Sequence, residues 1–272
     1  MRQIAAVARA MFSRQWWWVT LIVIALMILF ARLGFWQLDR LAQRRIANAQ
    51  LLAAIESAPI NLNDEYNAFI TLKPDDVPAD LPNRNVIATG RYDFDNQYVL
   101  KLQTWSGRAG VHLITPFILD GEDGVAVLVD RGWISDADHA AGLAYDEGTG
   151  PQTIKGYVAL TETILRRTTA ANAPDDLTDE LFRVDIAALA DRLPYPVLPF
   201  YLKLTPEEGR IDQFPVPIPK EVDLSEGPHL DYALQWFIFS AILGTGYVLY
   251  VFRRLNKQES ESSLPDGGYD ED

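Results

Sequence analysis

The sequence contains no cysteine. That absence excludes disulfide staples, thiolate metal sites and Cys-X-X-Cys redox chemistry together. Methionine is scarce, at three residues, which disfavours a thioether-rich copper carrier. Histidine also occurs only three times, as His112, His139 and His229, so there are few ways to build an imidazole site. The phosphate-binding G-x-x-x-x-G-K-[ST] loop, the G-x-G-x-x-G turn, the H-E-x-x-H helix and the G-x-S-x-G elbow are all missing, and no long repeat is apparent. A formal net charge of −13 gives no basic footprint, and no nucleic-acid partner is expected.

Charge is missing locally as well. From Trp16 to Ala31 there is none, and Thr20 is the one weakly polar residue; from Tyr232 to Phe252 there is again none. At about 1.5 Å per residue, roughly 20 residues cross a hydrocarbon core of about 30 Å. Residues 16–36 reach that length if Arg32 snorkels and Leu33–Trp36 occupy the far interface, and residues 228–252 are long enough alone. Trp16, Trp17 and Trp18 at one end and Trp36 at the other read as interfacial anchors. No A-x-A site follows the first segment, so it reads as an uncleaved anchor. Arg2, Arg9 and Arg14 precede the first span, and Arg253, Arg254 and Lys257 follow the second. Residues 1–15 and the acidic, disordered tail 253–272 are therefore expected in the cytoplasm, with everything between the spans outside. A bacterial plasma membrane is the expected setting, with the mitochondrial inner membrane as the alternative.

Past the first span the spacing of Leu38, Leu41, Ile46, Leu52 and Ile55 predicts a helical extension over 37–58, read as a stalk. Residues 59–227 form the outer domain. It opens with a Pro- and Asp-rich loop, and short β-rich runs follow at Val86–Thr89, Gln97–Leu102, Val111–Phe117, Val125–Val129, Ile154–Leu160 and Val197–Leu204. Val111–Phe117 does not alternate cleanly. Asp185 is placed to cap a short helix over Ile186–Arg192. The expected fold class is membrane α+β: two transmembrane helices flanking an outer, mostly antiparallel β domain, as a small sheet or partly closed barrel, with a short helix.

Most outer-domain polar residues have ordinary readings. The DFD (93–95) and DAD (136–138) stretches read as solvated turns, His139 as a surface residue and His112 as a hydrogen-bonded strand residue. Asp130 and Arg131 read as a local ion pair. The membrane-proximal stretches carry more. In GPHLDYALQWF (227–237), Pro228 suits the first turn of a helix and Asp231 complements its dipole. At about 100° per residue, His229, Tyr232, Ala233, Trp236, Ser240 and Leu243 share a face, with Ala233 and Ser240 small enough for a neighbouring helix to approach. In LGFWQLDRLAQR, Leu33, Trp36, Gln37, Arg40 and Arg44 form a matching face. In an antiparallel pair Trp36 and His229 emerge at one depth, with Arg40 and Arg44 above. One imidazole, aromatic walls and two cations are what a haem needs for its iron, faces and propionates. An aromatic belt with snorkelling arginines and a helix-start histidine describes the same residues without a ligand.

At these residues the chain resembles the surfeit locus protein 1 family, the assembly factors of haem-copper cytochrome c oxidase. LGFWQLDR is similar to the family's first-helix signature and GPHLDYALQWF to its second. GRYDF (90–94), LITPF (113–117), LVDRGWI (128–134) and LTET (160–163) resemble successive outer-domain blocks in order, so the resemblance runs from about residue 16 to 254. It implies a non-enzymatic inner-membrane protein acting on the oxidase catalytic subunit, with haem a as a transient cofactor and haem a synthase as a further partner beside the bilayer. It also implies His229 as the axial iron ligand, with Trp36, Gln37 and Arg40 mapping onto the first-helix signature. Arg44, Tyr232 and Trp236 complete the expected cofactor-binding set. A scaffold that stabilises an oxidase subunit without binding haem is the alternative. Gly90 and Arg131 match motif positions without roles, and the acidic tail belongs to no family motif.

Overall fold

The computed structural model describes residues 2–121, 123–143, 145, 150–161, 180–207 and 214–262. They form two compact units: Met1–Asn48 with Leu224–Asp272, and Ala49–Asp223. The LTET block at 160–163 falls partly outside the described residues, as does the tail beyond 262.

The first unit is helical. Helix α1 spans Arg2–Met11, α2 spans Trp17–Glu56 and runs on into the second unit, and α6, last in chain order, spans His229–Ser262. Both α2 and α6 are long and apolar enough to cross a membrane. Most of each apolar stretch is exposed: Leu21 at 51%, Ile28 at 64% and Ile242 at 62% are values that a water-soluble core helix would not show. The residues turned inward on α2 are Thr20, Val23, Met27, Phe30, Gly34, Gln37 and Leu41, at alternating steps of three and four. On α6 they are Ala233, Phe237, Ser240, Gly244, Tyr247 and Val251, again at alternating steps of four and three. This 3.5-residue period is that of a coiled-coil seam, here between antiparallel helices. The contacts run in antiparallel order. The Thr20 and Tyr247 hydroxyls meet at 2.6 Å, Ser240 Oγ donates to the Met27 carbonyl at 3.1 Å, and Phe30 packs on Trp236 at 5.5 Å between centroids. A Cβ added at Gly34 would lie 2.7 Å from the Phe237 ring, so only glycine admits that ring. Helix α1 packs back on the inner end through Val7, against Tyr247 and Val251.

The second unit is a β-barrel with attachments. Its strands are β1 (Ile60–Asn61), β2 (Asn85–Tyr92), β3 (Tyr98–Trp105), β4 (Arg108–Leu119), β5 (Ala126–Ser135), β6 (Gln152–Ala159), β7 (Glu180–Leu181) and β8 (Val197–Leu204). Short helices α3 (Leu62–Glu65), α4 (Asp136–Ala140) and α5 (Ile186–Ala190) intervene. Strands β2, β4, β5, β8 and β6 pair in a closed ring. Numbered along the chain, the ring reads 1-2-3-5-4, and the third and fifth strands are its one parallel pair. That is the connectivity of an OB-fold barrel. Closure depends on β2 changing partner: Gly90 pairs with Gln152 of β6 and with Leu119 of β4. A Cβ there would fall 2.1 Å from the Ile118 carbonyl oxygen, so the corner requires glycine.

Alternate residues fill the barrel: Val86, Phe117, Val127, Val129, Ile154, Val158, Phe200 and Leu202 are all buried inside. The outward residues Ile114, Leu128 and Tyr201 are covered in turn by Tyr98 and Leu100 of β3 and by Ile186 and Leu189 of α5. Burial on both faces explains why the central strands do not alternate in sequence; every residue of β5 is buried. Asp185 caps α5 as expected, its side chain accepting from the Ala188 N–H. The Asp- and Pro-rich opening loop contains β1 and α3, and the DAD stretch opens α4 under a Ser135 cap rather than forming a turn.

Candidate functional site at the start of helix α6

Helix α6 begins at His229, just past Gly227 and Pro228. The imidazole is half-buried, and its Nδ1 lies 2.8 Å from Oε1 of Gln37 on α2. A carbonyl oxygen only accepts, so Nδ1 is the donor, and in a neutral ring Nε2 is then the nitrogen with the lone pair. Gly227 has φ +69°, a conformation that disfavours other residues. A Cβ at Gly227 would sit 3.6 Å from Nε2, in ordinary contact, so the glycine leaves that side of the nitrogen uncovered. The first turn of α6 starts at His229, and Ala233 one turn on is buried.

The other expected residues distribute around this point. Trp36 is 52% exposed and Tyr232 is 48% exposed. Relative to Gln37, Trp36 and Arg40 lie on one flank of α2. Tyr232 lies about 60° from His229 on the flank of α6 that faces the same way in an antiparallel pair. Arg40 is exposed and donates to the neutral Gln43 amide oxygen at 2.8 Å, and Arg44 is exposed one turn further out. Trp236 lies about 10 Å further along α6, where it packs on Phe30 and Phe239. The outer end of the helix pair is clasped by contacts that the sequence did not reveal. Arg45 binds Glu226 with two hydrogen bonds at 2.7 and 2.8 Å, and Asn48 donates to the Leu224 carbonyl at 2.7 Å. The hydrogen bonds from Arg45 hold the Glu226 carboxyl below its ordinary range. The 3.5-residue period was the signal that could have found Gln37 opposite His229.

The remaining histidines are engaged differently. His112 Nδ1 meets Asp130 Oδ2 at 2.9 Å, and His139 Nε2 accepts from Lys101 Nζ at 3.2 Å. Among the described residues no group of three or more His, Asp or Glu side chains could hold a metal ion. The expected Asp130–Arg131 ion pair does not form. Neighbours on a strand point to opposite faces, and Arg131 instead donates to Gln97 Oε1 at 2.9 Å and to the Tyr145 carbonyl, under the rings of Tyr92 and Phe94. Burial pushes the Tyr92 phenol up to about 12, against the opposing pull of Arg131. A cavity of about 570 Å³ opens beside this cluster, lined by Tyr92, Arg131, Lys155, Leu204, Thr205 and Phe214 among others.

Two helices long and apolar enough to cross a membrane, with a barrel between them in chain order and an imidazole at the start of the second, define a protein of the membrane-anchored barrel class. This chain belongs to the SURF1 family, whose model matches residues 24–241. A SURF1-like protein of Mycobacterium tuberculosis is 28% identical over 264 residues, covering 92% of this chain and 89% of that protein. A SURF1-like protein of Rickettsia felis is 26% identical over 234 residues, covering 85% of this chain and 95% of its own. The cytochrome oxidase assembly protein SHY1 of Saccharomyces cerevisiae is 32% identical over 119 residues, 42% of this chain and 28% of that one.

Proposed function

We propose that this protein is an assembly factor for haem-copper cytochrome c oxidase that binds haem a through His229 and assists its insertion into the catalytic subunit. The observation that carries the reading is the His229 ring, fixed at Nδ1 by Gln37 and uncovered at Nε2 on the side of Gly227. Family membership and the yeast relative named as an oxidase assembly protein support the assembly role. The donor chemistry fits the cofactor. One neutral imidazole nitrogen suits a haem iron that must later be released. Arg40 and Arg44 would meet propionates, and Trp36, Tyr232 and Trp236 would flank the macrocycle. The oxidase catalytic subunit is the partner that follows, with haem a synthase as the donor. The antiparallel helix pair supports placing both termini on one side, the cytoplasmic one given the arginine flanks, with the barrel on the periplasmic side of a bacterial plasma membrane.

The test is Soret absorbance per protein for His229→Ala, His112→Ala and His139→Ala, purified from cells that make haem a. His229→Ala is expected to lose the haem and the other two to keep it. Arg40→Ala should lose less, because an exposed propionate contact is screened by solvent. Full haem on His229→Ala would overturn the axial assignment. If the parent carries none either, the protein assists assembly as a scaffold that never binds haem.

A further inference from the structure

We infer that Gln37 is a positioning residue that fixes the tautomer of His229 and, being neutral, keeps the ligand it would make weak enough for release. The inference rests on the reading of His229 as the iron ligand. An imidazole in water favours the Nε2–H form, which would place the proton on the nitrogen that Gly227 leaves uncovered. Gln37 reverses that preference by offering an acceptor to Nδ1 at 2.8 Å. Gln37 is itself half-buried on the seam of α2, at the step between Gly34 and Leu41, so its place is set by helix packing.

The chemical identity of the partner then decides ligand strength. A metal-bound histidine gains basicity from the acceptor on its other nitrogen. A carboxylate acceptor makes a charge-assisted bond roughly twice as strong as a neutral one. A carboxamide therefore aligns the ring without giving it imidazolate character. This suits a protein that must give its haem away, whereas a carboxylate in the same place would suit one that keeps it. Asp39, Arg40, Asp231 and Glu226 are charged groups near this end of the pair, but the atom that meets Nδ1 belongs to Gln37.

The experiment uses the full chain with ¹⁵N-labelled histidine, without haem, in lipid nanodiscs. Long-range proton–nitrogen correlation reads the tautomer of each of the three histidines. The parent His229 should be protonated at Nδ1, and Gln37→Leu, close in size and without an acceptor, should move the population to Nε2–H. An Nε2–H parent, or an unchanged tautomer in Gln37→Leu, would overturn the inference. In haem-loaded protein, Gln37→Glu should slow haem dissociation and Gln37→Leu should speed it, each on the order of tenfold. Gln37→Glu should also lower the iron midpoint potential, which a merely structural change would not do. Equal potentials in parent and Gln37→Glu would refute the ligand-strength half. If the parent binds no haem but shows the Gln37-dependent tautomer, the haem reading fails while the positioning stands.

Discussion

The two units bury opposite things. In the helix pair the seam holds Thr20, Gln37, Ser240 and Tyr247, while Leu21, Ile28, Leu29, Ile242 and Leu249 point outward. In the barrel the interior is Phe117, Val129, Phe200 and Leu202, and the polar Thr115, Asp130 and Arg131 are each buried at hydrogen-bonded positions around it. The hydrophobic effect drives burial only when the outside is water. Against lipid it gives no preference, and association rests on close packing and on polar groups that find partners across the seam. The comparison predicts that each unit fails through its own mechanism.

The largest effect is expected in the barrel. Phe200 is 1% exposed and stacks edge-on against Phe69 at 5.4 Å between ring centroids. Phe200→Ala should cost about 3–5 kcal/mol, seen as a fall in the thermal midpoint of the β signal. A cysteine pair introduced as Met27→Cys and Ser240→Cys, in a chain with no native cysteine, should still crosslink. Loss of the crosslink together with the barrel would show that the helix pair does not hold itself.

The converse is Gly34→Leu. Its side chain has no room beside Phe237, and overpacking typically costs roughly 1–3 kcal/mol. The same cysteine pair should crosslink less, while barrel melting stays put. Undiminished crosslinking would show that the close approach at Gly34 is dispensable.

The two units also differ in how far they can be read from sequence. The helix pair is a one-dimensional problem: charge-free length marks the spans, and equal counting from the inner ends puts Trp36–Gln37 opposite His229. Depth alone does not give the hydrogen bond, because Trp36 and Gln37 are adjacent; the 3.5-residue step through Gly34 and Leu41 is what selects Gln37 for the seam. In the second unit six of the eight strands among the described residues were visible as β-rich runs, since each contributes a buried face. Strand order was not. The parallel β5–β8 pair joins segments separated by β6, α5 and intervening loops, and β1 and β7 are two residues each, too short to leave a pattern. Asp130 and Arg131 mislead by being neighbours, although alternation along a strand already forbids their pairing.

The smallest effect is electrostatic and separates the units by pH. Tyr195 donates to Asp93 Oδ2 at 2.6 Å, and Asn96 donates to the same oxygen at 2.8 Å. Burial pushes the Asp93 carboxyl up, but the hydrogen bonds from Tyr195 and Asn96, with backbone help, outweigh it and hold the group below its ordinary range. A depressed carboxyl adds stability that is present above the ordinary value of about 4 and is lost as pH falls through the lower folded value. The Tyr195 phenol is raised, by burial first and then by Asp93, so its contribution is present below the ordinary tyrosine value of about 10 and is lost above it. Between about pH 4 and 10, Tyr195→Phe should therefore cost the barrel about 1 kcal/mol, a charged hydrogen bond discounted for partial exposure. The parent–variant difference should shrink in acid as Asp93 protonates, and crosslinking of the helix pair should not follow it. A difference that stays constant from neutral pH down to pH 2 would mean that the contact acts through packing and not through charge.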